Sequence, residues 1–136
     1  MRTVSKTVIG VDFGTQSARA VLVNAENGEI IYSCRKEYPY NSTPVPAIDC
    51  AENLPCATDY EMTLYELLRN VIQEEYRKTV AGICIDATSL TMVLLAEDGR
   101  ALSELNGWSE AAHARVKLWK YHRAQEKADE ALNLAS

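Results

Sequence analysis

The octapeptide Asp12-Phe13-Gly14-Thr15-Gln16-Ser17-Ala18-Arg19 lies between two apolar runs, Val8 to Val11 and Ala20 to Val23. The pattern predicts a strand, a tight polar turn and a second strand, with a carboxylate and several small polar groups at the tip. Such a tip suits phosphates and their metal. Glycine lets the backbone come close, neighbouring N–H groups and hydroxyls face phosphate oxygens, and an aspartate holds Mg²⁺ directly or through water. A charge at the end of an apolar strand is expensive to bury. Asp12 is therefore either a turn former or a ligand, and the Gly14, Thr15, Gln16 and Ser17 that follow favour the ligand. Arg19 shares a strand face with Ser17 because side chains alternate there; spacing alone allows it a phosphate at the turn or a place in solvent.

The flanking segments set the fold class. Thr7 to Asp12 and Ser17 to Asn24 read as strands, Glu26-Asn27-Gly28-Glu29 as a hairpin turn, since Asn-Gly readily adopts positive φ, and Glu29 to Tyr38 as a third strand. Pro39, Pro44, Pro46 and Pro55 then mark an irregular excursion. Thr58-x-x-Glu61 matches a capping box, and Leu64, Leu67, Leu68, Val71 and Ile72 recur at helical spacing, predicting a helix from Asp59 to Arg77. Val80 to Asp86 reads as a buried strand parallel to the first, because a helix connects it to the opening meander. Thr91 to Ala96 reads as another strand, ended by the turn Glu97-Asp98-Gly99-Arg100. Beyond it come a loop at Gly107-Trp108-Ser109, a brief extended segment from Val116 to Trp119, and an amphipathic helix from Ala124 to Ala135 with Ala128, Leu132 and Ala135 inward. The class is α/β on a mixed sheet.

A length of 136 residues allows one domain with one core. A net charge of −5 argues against a nucleic-acid backbone as the main partner while leaving room for a local nucleotide site. Cys34, Cys50, Cys56 and Cys84 lack CxxC spacing and accompanying histidines, which disfavours a zinc site. Cys50 and Cys56 could meet across a loop, with little support, and Cys84, inside an apolar run, is expected to be buried. No leader-like or membrane-spanning stretch is present, so a cytoplasmic protein without membrane partners is expected.

Two further groups bear on chemistry. Asp86-Ala87-Thr88-Ser89-Leu90-Thr91 closes the Val80 strand with short polar side chains, and ligands tend to bind beyond the carboxyl ends of parallel strands. If that strand neighbours the first, the cluster and the Asp12 turn open on the same side. Trp119 and Lys120 offer a ring face and an ammonium suited to a polyhydroxylated ligand, although core packing explains Trp119 equally well. His113 and His122 receive no role.

Val8-Ile-Gly-Val-Asp-Phe-Gly-Thr-Gln-Ser-Ala-Arg-Ala, followed by the Asn27-Gly28 hairpin, resembles the opening phosphate motif of the FGGY carbohydrate kinases. These belong to the actin, hexokinase and heat-shock ATPase superfamily, with a ribonuclease-H-like core. Asp59-Tyr60, Gly82-Ile-Cys-Ile-Asp-Ala-Thr-Ser-Leu-Thr and Val116-Lys-Leu-Trp-Lys-Tyr-His-Arg-Ala-Gln extend the likeness, the last being similar to the ribulokinase branch. The resemblance runs from Thr7 to the C-terminus. It implies ATP with Mg²⁺, Asp12 at the metal, and Gly14, Thr15, Gln16, Ser17 and Arg19 around phosphate. Ser89, Leu90, Trp119 and Lys120 would fall at the sugar pocket, and the implied substrate is a ketopentose, L-ribulose.

Members of that family are several times longer. The resemblance implies that residues 1–136 form the first part of an N-terminal domain, an incomplete ribonuclease-H-like unit, with the catalytic base and the adenosine motifs elsewhere. Losing a general base costs about 10²- to 10⁴-fold, so the chain alone is expected to be inactive. An unpaired sheet edge would invite aggregation or a homodimer. Two alternatives stand beside this reading: a sugar- or phosphate-binding module without catalysis, and one half of a split kinase that docks on a separate chain.

Overall fold

The computed structural model describes residues 5–39, 55–109, 111–119 and 125–135. Strands β1 (Thr7–Phe13), β2 (Ser17–Asn24) and β3 (Ile30–Glu37) form the opening meander, helix α1 (Ala57–Val71) follows, and β4 (Val80–Ala87) returns to the sheet. The order is β3-β2-β1-β4, with β1 antiparallel to β2 and parallel to β4. The mixed sheet and the parallel return after a helix are as the sequence predicts. Between β2 and β3 the side-chain oxygens of Asn24 and Asn27 accept the N–H groups of Glu26 (2.9 Å) and Glu29 (3.0 Å), and Gly28 takes φ +76°.

Alternation sorts each strand onto two faces. Ile9, Val11 and Phe13 of β1 and Ala18, Ala20 and Leu22 of β2 are buried, together with Leu67 and Val71 of α1. The alanines of β2 let the helix sit close to the sheet, where larger side chains would hold it off. Lys36 on β3 pairs with Glu66 on α1 at 2.5 Å across the rim of this layer. The opposite face, carrying Gly10, Asp12, Arg19 and Asp86, has no helix over it among the described residues.

Several elements depart from expectation, each for a local reason. Helix α1 starts two residues earlier, with Cys56 as N-cap, so the acidic reach-back comes from Asp59, whose Oδ2 accepts the Cys56 N–H at 3.1 Å. Thr58, now inside the helix, donates to Glu104 at 2.7 Å instead. The helix stops at Val71 rather than Arg77, and Glu74–Tyr76 form a separate 3₁₀ turn. Two consecutive glutamates oppose the negative end of a helix dipole. Thr91–Ala96 is not a strand; it makes single bridges, Met92 to Lys117 and Leu95 to Ala101. Of the extended segment expected at Val116–Trp119, Lys117 alone makes a bridge, to Met92, while Val116 and Leu118 are buried and Trp119 lies in a turn.

β4 is not the buried strand expected: Ile83 and Ile85 are 51% and 56% exposed, and Cys84 is exposed as well. The helix packs on β2 and β3 and leaves the β4 margin uncovered. Helix α2 (Gln125–Ala135) has no buried residue, so Ala128, Leu132 and Ala135 do not point into a core. Most of the proline-rich excursion, Cys50 and His122 lie outside the described residues. No described helix is long and apolar enough to cross a membrane.

Leu67 is 1% exposed at the helix–sheet contact. Leu67→Ala is expected to cost about 2–5 kcal/mol, and Ile83→Ala, on the open margin, less than about 1 kcal/mol. Urea unfolding followed by circular dichroism checks both values.

Candidate phosphate site

The turn between β1 and β2 is closed by its own backbone. The Gly14 N–H donates to the Ser17 carbonyl at 3.1 Å, and a Cβ added at Gly14 would meet that same oxygen at 3.1 Å. Glycine is favoured here by space: an alanine would press on the atom that closes the turn, which would have to give by a few tenths of an ångström. Thr15 and Gln16 form the tip. Trp119 donates from Nε1 to Thr15 Oγ1 at 3.1 Å, tying the chain's late segment to the turn.

An aromatic support lies beneath. Tyr38 donates its hydroxyl to the Gly14 carbonyl at 2.9 Å, and its N–H reaches the Gln16 carbonyl at 3.3 Å. Tyr60 of α1 packs against Tyr38 at 5.0 Å and edge-on against Phe13 at 5.9 Å between ring centroids. Burial, and secondarily the Asp59 charge, pushes the Tyr60 phenol up to about 12. Tyr38 was not singled out by sequence, and Tyr60 entered only as part of the Asp59-Tyr60 resemblance with no role at the turn; the helix–sheet contact brings both to it.

On the outer face, register sets the charges side by side. Asp12 stands opposite Arg19 on β2 and opposite Asp86 on β4. Arg19 Nε lies 3.5 Å from Asp12 Oδ2, a loose contact between two solvent-reachable groups, the aspartate side chain being 48% exposed. A small open pocket of about 230 Å³ is lined by Gly10, Asp12, Arg19, Cys84 and Asp86. The first and fourth strands are therefore neighbours, and their carboxyl ends open together. The Thr88 N–H continues that pairing to the Phe13 carbonyl at 3.1 Å.

Among the described residues no group of three or more His, Cys, Asp or Glu side chains is arranged around a cation. One or two exposed carboxylates, Asp12 and Asp86, fit Mg²⁺ in its usual manner, where waters and substrate phosphates complete the shell.

Of the expected sugar-pocket residues, Ser89 and Leu90 lie exposed in the turn after β4, Leu90 at φ +59°. The hydroxyls of Thr88 and Thr91 meet at 2.9 Å across that turn. The Met92–Lys117 bridge ties this loop to the segment bearing Trp119. Lys120 lies outside the described residues.

Residues 7–134 match the FGGY family of carbohydrate kinases, N-terminal domain. The chain belongs to that family. Ribulokinase 1 of Staphylococcus saprophyticus is 40% identical over 88% of the chain, and the ribulokinase of Mycolicibacterium smegmatis 33% identical over 96%. The alignments cover 23% and 25% of those relatives, so the chain spans about a quarter of their length. Two solved structures share the fold: gluconate kinase from Lactobacillus acidophilus (TM-score 0.63, 20% identity) and ligand-bound xylulose kinase from the same organism (0.58, 18%). Each is covered at 94% of this chain and 22% of theirs. The ribonuclease-H-like assignment of the FGGY sugar kinases thus extends to this mixed sheet.

Two outcomes follow. Tyr38→Phe removes one hydrogen bond to the turn and is expected to cost about 0.5–1.5 kcal/mol, with faster amide exchange at Gly14 as the local readout. Because the folded Tyr60 phenol holds its proton up to about 12 against an ordinary value of 10.0, the native state binds more protons than the unfolded one in between. Its stabilising contribution is complete below pH 10 and is lost as pH rises toward 12. Denaturant unfolding across that window in wild type and Tyr60→Phe measures it, the variant showing a smaller decline.

Proposed function

We propose that residues 1–136 supply the phosphate-holding first part of the N-terminal domain of an ATP-dependent kinase for a ketopentose, L-ribulose. The observation that carries this reading is the Asp12–Asp86 pair beside the glycine-closed turn, at the carboxyl ends of neighbouring parallel strands. Gly14, whose own N–H closes the turn, lets phosphate come near the backbone, Thr15, Gln16 and Ser17 bring polar groups to it, and Arg19 adds a cation on the same face. Asp12, with Asp86 beside it, would hold Mg²⁺, which when bound offsets charge on the phosphate chain. The ribulokinase relatives support the sugar class, and Ser89, Leu90, Trp119 and Lys120 are proposed to face it. The Trp119–Thr15 hydrogen bond supports that proposal by linking the sugar side to the phosphate turn.

Phosphoryl transfer is mostly positioning and charge stabilisation. On this reading the chain positions phosphates, while the base that takes the sugar hydroxyl proton and the groups that hold adenosine belong to further polypeptide. The uncovered Ile83–Ile85 margin of β4 favours docking on such polypeptide. Sugar and MgATP as substrates support a cytoplasmic location for the whole.

The test is to assay ketopentose-dependent ADP formation by the chain alone and by the chain joined to the remainder of a ribulokinase relative. Turnover is expected only in the joined form, and Asp12→Ala is expected to lower it at least about 10²-fold while leaving the melting temperature unchanged. Turnover by the chain alone overturns the division of labour, and unchanged turnover in Asp12→Ala overturns the site.

A further inference from the structure

The outer face of the sheet carries an unbroken row of charges. In register, Asp86 on β4 stands beside Asp12 on β1, Asp12 beside Arg19 on β2, and Arg19 beside Arg35 on β3. Only the middle juxtaposition joins opposite signs; the outer two set like charges directly opposite, which destabilises a sheet. One end of the row is thus wholly anionic and the other wholly cationic.

The cationic end has the form of a seat. Arg35 donates from Nε to Ser17 Oγ at 2.9 Å and lies 3.7 Å from a Glu37 oxygen, while Arg19 has its 3.5 Å contact with Asp12. A guanidinium carries five N–H donors, so among the described residues these contacts leave most of both forks uncommitted. Both side chains are well exposed, Arg19 at 68% and Arg35 at 61%. An open groove of about 650 Å³, lined by Ser17, Arg19, Ser33 and Arg35, runs along them. Because Ser17 Oγ accepts from Arg35, its own hydroxyl proton is free to point at an anion.

We propose that Arg35 is a second phosphate-binding cation, forming with Arg19 and Ser17 a two-guanidinium seat for a polyphosphate chain beside the Asp12 turn. The proposal rests on the phosphate-site reading above and deepens it. A bridging dianion turns the Arg19–Arg35 repulsion into two attractions, and guanidinium forks match phosphate oxygens bidentately. The row also fixes direction: a Mg²⁺-bound end of the chain lies over Asp12 and Asp86, and free phosphate oxygens lie over Arg19 and Arg35.

Equilibrium dialysis of the chain against magnesium tripolyphosphate, and separately against orthophosphate, tests it in wild type, Arg35→Gln, Arg35→Lys, Arg19→Gln and Asp12→Asn. Arg77→Gln, just after the distant 3₁₀ turn Glu74–Tyr76, is the control. Arg35→Gln is expected to weaken tripolyphosphate binding about tenfold or more, Arg35→Lys to recover part of it, and Arg77→Gln to change nothing. An equal loss for orthophosphate assigns the seat to any phosphate dianion; a loss confined to tripolyphosphate assigns it to the nucleotide's chain. Arg35→Gln binding within twofold of wild type, while Arg19→Gln and Asp12→Asn lose affinity, overturns the seat and leaves the phosphate site standing. Absence of binding in wild type overturns both. Should Arg35→Gln fail to fold, Arg35→Lys with a wild-type melting temperature decides: undiminished affinity there overturns the proposal.

Discussion

Both edges of β1 are hydrogen-bonded, to β2 in antiparallel and to β4 in parallel sense, and the site depends on that double pairing. A strand paired on both edges is held against slipping on either side, since a shift by one residue would turn Ile9, Val11 and Phe13 out of the core. The same constraint fixes Asp12 between Arg19 and Asp86. Helix α1 enforces it by burying one face of the sheet with Leu67 and Val71.

The two faces have divided their work. The inner face is apolar and carries the folding energy; the outer face carries adjacent like charges that folding does not require. Sheet pairs normally avoid such opposition, and local rules tend to be broken at functional sites. The turn that links the faces is held from below by Tyr38 and Tyr60 and from the side by Trp119. Positioning of the tip thus draws on β3, α1 and the late segment together, although the residues that would touch phosphate are nearly contiguous in sequence.

The β4 margin differs from the rest of the sheet. Its outer edge has no strand partner among the described residues, and Ile83 and Ile85 extend the inner apolar face beyond the reach of α1. Unpaired edges with apolar neighbours are templates for further pairing. The chain spans about a quarter of its ribulokinase relatives, and on the proposed reading such a margin would receive the further polypeptide. Helix α2, exposed along its whole length with Leu132 and Leu134 outward, is a second such element.

The sequence by itself determined the local elements: alternation in β1 and β2, the Asn27-Gly28 turn, the apolar spacing of α1 and the glycine-bearing turn after Asp12. These rest on contacts between near neighbours, so near neighbours reveal them. Burial of β4 and α2 was not legible, because apolar composition shows that a segment can be covered and not whether anything covers it. Cross-strand partners were not legible either. The β2–β3 register shifts between Leu22 and Val23, so counting back from the hairpin pairs Arg19 with Cys34, whereas the folded sheet pairs it with Arg35. That one-residue irregularity turns Cys34 toward α1, where its thiol reaches the Leu67 carbonyl at 3.6 Å, and Arg35 toward the open face. The tertiary structure alone decided which charges stand side by side, because register is set by packing of the whole sheet against the helix.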